Sequence, residues 1–168
     1  MPPPKRAVRT YLEMTEPSFL LPAPAPSDET TVEPVEDCPP ALWRRLYTEV
    51  GEQYHWVDRL SWTDDDITRY LADPQLELWV AREHGDLAGY FELRRHDDGA
   101  VEVAYFGLLP HAVGRGLGKY VLTRAVQRAW ELGATRVWLH TSSLDHSSAL
   151  PNYLARGFSV WKQESYDV

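Results

Sequence analysis

Val113-Gly114-Arg115-Gly116-Leu117-Gly118 lies between an apolar run, Val101 to Leu109, and a helical pattern that sets in at Tyr120. A glycine-rich turn that opens a helix presents several free backbone N–H groups, and the helix dipole adds about half a positive charge there. Glycine lets that backbone approach a pyrophosphate closely. The stretch therefore suits a phosphate-bearing cofactor, and an ordinary glycine-rich strand-to-helix loop is the competing reading. Spacing narrows the choice of ligand. Gly114, Gly116 and Gly118 alternate, unlike the Gly-x-Gly-x-x-Gly of dinucleotide-binding folds, and Lys119 is followed by Tyr120 where a P-loop needs Ser or Thr.

Downstream of the loop, Tyr120, Val121, Leu122, Ala125, Val126, Ala129 and Trp130 recur at helical spacing, and Gly133 suits the C-terminal cap. Upstream, Glu77–Arg82, Leu87–Arg94 and Val101–Leu109 predict three consecutive antiparallel strands, with turns at His84-Gly85-Asp86 and Asp97-Asp98-Gly99. A strand over Arg136–Thr141, a short helix within Ser147–Arg156 and a strand from Phe158 to Trp161 complete the C-terminal part. Pro40 opens an earlier helix with an apolar face of Leu42, Trp43, Leu46 and Tyr47, and Asp64, Asp65 and Asp66 open another. Residues 1–38 are expected to form an arm, part of or packed on a domain of residues 39–168, with a short edge strand at Arg9–Met14 and another strand at Thr30–Val35. This order predicts an α/β (α+β) protein with a mixed sheet and helices on both faces.

At 168 residues the chain is most simply one domain with a substantial core. Its formal net charge of −8 argues against a nucleic-acid or anionic-membrane surface. No apolar run approaches the ~18 residues of a membrane span, and no signal-peptide core follows Met1 to Arg6, so a cytoplasmic location is expected. Cys38 is alone, which excludes an internal disulfide framework, and the histidines are scattered, so no metal site is expected. Seven Trp and nine Tyr are enough to wall a small-molecule pocket as well as a core.

With these residues in this order the chain resembles the Gcn5-related N-acetyltransferase (GNAT) superfamily. The family motif Gln/Arg-x-x-Gly-x-Gly/Ala is matched over Val113 to Gly118 at both glycines and departs from it at Val113, with Arg115 offering a cation nearby. Phe106-Gly107-Leu108-Leu109-Pro110 is similar to the end of the family's fourth strand, and Ala149, Tyr153, Gly157 and Phe158 match its A-x-x-x-Y-x-x-x-G-F signature. His146 stands where the family often has Asn. The likeness runs from about Leu76 to Phe158. It implies the acyl-CoA N-acyltransferase fold, a mostly antiparallel mixed sheet splayed between its fourth and fifth core strands. It also implies acetyl-CoA as the acetyl donor, with Phe106, Gly107 and Leu108 along the pantetheine, Val113 to Gly118 and Lys119 at the pyrophosphate, and His146 beside it.

Acetyl transfer to an amine needs a deprotonated nucleophile, a hydrogen-bond donor to the developing oxyanion and a proton for the leaving thiolate. The resemblance places the Leu108 N–H at the carbonyl and Tyr153 at the sulfur, as general acid. Glu102 is a candidate base, expected to share a strand face with Ala104, Phe106 and Leu108. His140 is a second candidate, through its ordinary pKa of about 6.5, and a water chain is the third route. Tyr54, Trp56, Asp58, Arg59 and Trp62 occupy the place of the family's acceptor pocket, where aromatic walls and an acid suit an ammonium group and Arg59 suits a carboxylate. The expected acceptor is a primary amine of a small molecule. Lysine or N-terminal protein acetylation and acetyl-CoA binding without turnover are the alternatives, and a homodimer is compatible with all three.

Overall fold

The computed structural model describes Pro3 and residues 5–168. Seven strands form one sheet: β1 (Arg6–Met14), β2 (Thr30–Pro34), β3 (Leu76–Glu83), β4 (Asp86–Arg95), β5 (Ala100–Leu108), β6 (Arg136–Ser142) and β7 (Ser159–Asp167), in the order β2-β3-β4-β5-β6-β1-β7. Four helices accompany it, α1 (Pro40–Gly51), α2 (Asp64–Leu71), α3 (Leu117–Glu131) and α4 (Ala149–Ala155). The β3-β4-β5 meander has the expected antiparallel pairing. Thr63 starts α2 by a reciprocal cap, its hydroxyl accepting from the Asp66 N–H at 3.2 Å while the Asp66 carboxylate accepts from the Thr63 N–H at 2.9 Å.

Alternation along the strands divides the core in two. Trp79, Ala81, Phe91, Leu93, Val101 and Val103 face α3 and α4, where Leu117, Val121, Leu122, Ala125 and Phe158 complete one cluster. Leu78, Val80 and Tyr90 face the other way, against Trp43, Leu46, Tyr47 and Val50 of α1 and Ile67 of α2.

Among the described residues only β5 and β6 pair in parallel, and only over Ala100–Glu102 with Arg136–Trp138. Beyond that register the two strands part, although β5 continues to Leu108 and β6 to Ser142. This is the splay expected between the fourth and fifth core strands, counted from β2.

Two expectations are corrected. Arg9–Met14 is no edge strand: β1 runs between β6 and β7, antiparallel to both. Its Leu12 and Met14 are wholly buried, which a period-two pattern alone cannot distinguish from an edge strand with one covered face. Glu102 does not share a face with Phe106 and Leu108. The β4–β5 register slips where Glu92 opposes Tyr105 and Leu93 opposes Val103, leaving Ala104 unpaired. That bulge inverts the alternation, so Phe106 and Leu108 face α3 while Tyr105 faces α1. Glu102, next to the α3-facing Val101 and Val103, lies on the Tyr105 side.

Candidate active site

Ala88 and Leu109 locate a free backbone donor. The Leu109 N–H donates to the Ala88 carbonyl at 2.8 Å, and donors alternate sides along a strand. The Leu108 N–H therefore faces away from β4, into the splay. A narrow slot of about 90 Å³ opens there, lined by Phe106, Gly107, Leu108, Val113, Gly118, Asn152, Tyr153, His146 and the aromatic pair Tyr54 and Trp56.

At one end of the slot is the glycine loop. Gly114 and Gly116 have φ of +86° and +79°, values that side chains disfavour, and a Cβ on either would meet nothing within 4 Å. Gly116 is the N-cap of α3 with no side chain capping it. The N–H groups of Gly114, Arg115 and Gly116 meet no backbone acceptor among the described residues. Leu117 anchors the loop, fully buried, while Arg115 and Lys119 stand exposed. The helix N-terminus is thus open to an anion. Asn152, which sequence reasoning passed over, donates from Nδ2 to the Gly118 carbonyl at 3.3 Å, and its Oδ1 is buried without a partner among the described residues. An orphaned acceptor in a slot edged by a free strand donor fits an arm that carries amide groups and ends in phosphate.

Tyr153, six per cent exposed, packs edge-on to Phe106 and Phe158 with both centroids at 6.2 Å. It lines the slot and also a broad groove of about 680 Å³ on the α1 side. Burial, then the charge of Asp145, raises its pKa, so the phenol carries its proton at neutral pH.

Glu102, His140, Asp58 and Arg59 line that groove, together with Tyr54 and Trp56. Glu102 is held by His96, whose Nε2 lies 2.9 Å from Oε1. His140 stands beside Tyr11 with ring centroids 5.5 Å apart. The groove walls desolvate the imidazole and lower its pKa, against an opposing pull from Glu102, so it is neutral at pH 7. His146 bonds through Nδ1 to the Ser148 hydroxyl at 2.6 Å and meets Tyr54 edge-on. Trp62 is not among the groove residues: it stacks on Trp43 with centroids 5.4 Å apart, and its carbonyl accepts from Arg44.

Three arginines reach the groove, and each has an acidic partner: Arg9 with Glu164 at 3.2 Å, Arg59 with Glu92 at 3.3 Å and Arg94 with Asp73 at 2.9 Å. Arg59 is also ringed by Trp43, Trp62, Tyr70 and Tyr105 at centroid distances of 4.1–5.7 Å. Glu92, fully buried in β4, accepts further from Trp43 Nε1 at 3.2 Å and from the Tyr70 hydroxyl. The one sequence signal for it was an acid near the end of an apolar run, Leu87 to Leu93.

A model of the acetyltransferase (GNAT) family matches residues 42–158. The chain belongs to the GNAT family. It is 34% identical over 94 residues to an uncharacterized N-acetyltransferase of Mycobacterium tuberculosis, a match that covers 56% of this chain and 60% of that protein. A mycothiol acetyltransferase of Thermomonospora curvata is 28% identical over 160 residues, 90% of this chain and 52% of that protein. In fold the chain is similar to a GCN5-related N-acetyltransferase from Kribbella flavida, with a TM-score of 0.68 at 21% identity, covering 94% of this chain and 56% of that one. This GNAT chain thus spans about half to three-fifths of the length of these relatives.

Among the described residues no group of three or more His, Cys, Asp or Glu side chains could hold a metal, and no helix is long and apolar enough to cross a membrane. Cys38 lies away from the slot and the groove, and burial pushes its thiol up to about 11, which keeps it protonated.

Proposed function

We propose that this GNAT chain transfers the acetyl group of acetyl-CoA directly to a primary amine of a small molecule. The observation that carries this reading is the junction at Tyr153, where a narrow slot running from an open helix N-terminus meets a broad aromatic groove. Acetyl-CoA, when bound, supplies an acetyl group activated as a thioester. Gly114 to Gly118 would hold the pyrophosphate by backbone N–H groups, which is why Val113 in place of Gln or Arg is tolerable. Val113 would pack along the slot it lines, and Arg115 and Lys119 would add positive charge at its mouth. The Asn152 Oδ1 would accept from an amide of the pantetheine arm, His146 would flank it, and the free N–H of Leu108 would donate to the thioester carbonyl oxygen.

Tyr153 is the general acid of this scheme. Its raised pKa keeps the proton in place until a thiolate forms to take it. Glu102 receives the proton of the acceptor amine through water across the groove, with His96 steadying the carboxylate; His140, neutral and on the same groove, is the other acceptor within this geometry. Tyr54 and Trp56 offer ring faces to a cation, and Asp58 adds negative charge. Since Arg9, Arg59 and Arg94 are neutralised by their own partners, the groove favours a cationic acceptor. Arg59 then acts by shaping the groove rather than by binding a carboxylate.

The test is a CoA-release screen against amines, amino acids, polyamines and lysine peptides, alongside the shift in melting temperature produced by acetyl-CoA. Stabilisation by acetyl-CoA with release driven by small amines supports the proposal. Release driven only by peptides moves the acceptor to protein, and the absence of any acetyl-CoA effect overturns the reading.

A further inference from the structure

Asp145 is the one carboxylate among the described residues that lines both the slot and the groove. It is half-buried on the loop between β6 and α4. One oxygen, Oδ2, accepts from the Thr141 hydroxyl at 2.6 Å and from the Ser142 N–H at 2.9 Å. Both tethers fall on that oxygen, so the carboxylate plane is held while Oδ1 has no hydrogen bond from the described residues. The turn it closes lies ahead of α4, which begins after Ser148.

Its neighbours at the junction are Tyr54, Trp56, Phe106 and Tyr153, which line the same two cavities. The charge of Asp145 is felt by Tyr153 and by Tyr54. The other acids of the groove are placed differently. Glu102 is bonded to His96, Asp167 is paired with Arg6, and Asp58, like them, lines the groove but not the slot. A fixed carboxylate with one free oxygen, beside two aromatic faces, is a site for a primary ammonium: the oxygen takes an N–H and the rings take the remaining charge.

We propose that Asp145 binds the ammonium group of the acceptor and sets its nitrogen at the mouth of the slot, which selects primary cationic amines over neutral or anionic acceptors. This rests on the acetyl-transfer reading. It needs no new covalent step, because Asp145 orients the amine and the proton leaves by the route already described.

Asp145→Asn separates charge from fold. Its amide oxygen can keep both tethers to Thr141 and Ser142, while its NH₂ puts a donor where the free acceptor was. The experiment is saturation-transfer NMR with n-propylammonium chloride, on the protein alone and loaded with acetyl-CoA, with n-propanol and propionate as neutral and anionic controls. The wild type is expected to contact the cation and neither control, and D145N to weaken that contact at least tenfold while binding acetyl-CoA within about twofold of the wild type. Thr141→Val, which keeps the charge and removes one tether, is expected to retain the contact. Should D145N fail to fold, Asp145→Ser takes its place with the same expectation. Contact with propylammonium persisting in a folded D145N or D145S overturns the proposal. A wild type that contacts the cation but ignores acetyl-CoA overturns the acetyl-transfer reading instead.

Discussion

Arg59 and Glu92 form an ion pair 3.3 Å long in which the carboxylate has no solvent exposure. Removing either partner strands the other charge among Trp43, Tyr70 and Tyr105, and such a loss costs about 3–5 kcal/mol. Arg59→Ala and Glu92→Ala are therefore each expected to lower unfolding free energy by that order in urea titrations. The double replacement Arg59→Met with Glu92→Met should recover much of the loss, because no buried charge is then left alone.

Tyr153→Phe keeps the ring that packs between Phe106 and Phe158 and removes only the proton. Turnover is expected to fall by about a hundredfold or more, the usual scale for a general acid. Acetyl-CoA affinity by calorimetry should stay within a few-fold. Unchanged turnover would remove Tyr153 from the chemistry.

Gly157 has φ of +107°, and a Cβ there would collide with the carbonyl oxygen of Phe19 in the segment between β1 and β2. Both the backbone conformation and the close approach exclude a side chain. Gly157→Ala is expected to destabilise by about 2 kcal/mol or more, from strain at a positive φ plus displacement of the Phe19 segment. Thermal unfolding reads this directly.

Acid should lower stability in two pH windows of different origin. Desolvation in the groove lowers the His140 pKa from 6.5, a small effect because the ring keeps solvent access, so the unfolded chain takes that proton first. Its contribution is complete above the ordinary value and is lost as pH falls through the folded one. Glu77 is held below the ordinary carboxylate range of 4.5, chiefly by its hydrogen bonds from Arg128. Its stabilisation is present above that value and disappears as pH falls through the lowered one. Stability measured from pH 7 to pH 3 is expected to decline in both windows. Glu77→Gln should flatten only the lower one, and His140→Gln only the upper.

β1 closes the gap between β6 and β7 by hydrogen bonding to both. Deleting the residues through Met14 is expected to abolish the cooperative thermal transition, not merely to trim an edge. A truncated chain that melts as sharply as the full one would show β1 to be dispensable.

How much of this was readable beforehand differs from element to element. The meander β3-β4-β5 and the helix α3 follow from local periodicity and turn residues, which act over a few positions and survive without tertiary context. The glycine loop stood out as a helix start and Tyr153 only through the family resemblance; the structure brings Val113, Gly118 and Tyr153 to one slot. Asn152 was missed because an orphaned acceptor is defined by what surrounds it, and Glu92 because its partners Trp43, Arg59 and Tyr70 come from two helices and a loop distant in sequence.

The sequence by itself determined the secondary elements, their order and the phosphate-suited loop, since each depends on contacts within a turn or two of chain. Tertiary structure alone decided the rest. A single bulge at Ala104 turned Phe106 and Leu108 off the face that carries Glu102, pairing across the sheet moved β1 from edge to interior, and packing of α1 and α2 consigned Arg59 to Glu92. Each of these is a long-range contact whose free energy depends on which surfaces meet, and local sequence pattern does not encode that choice.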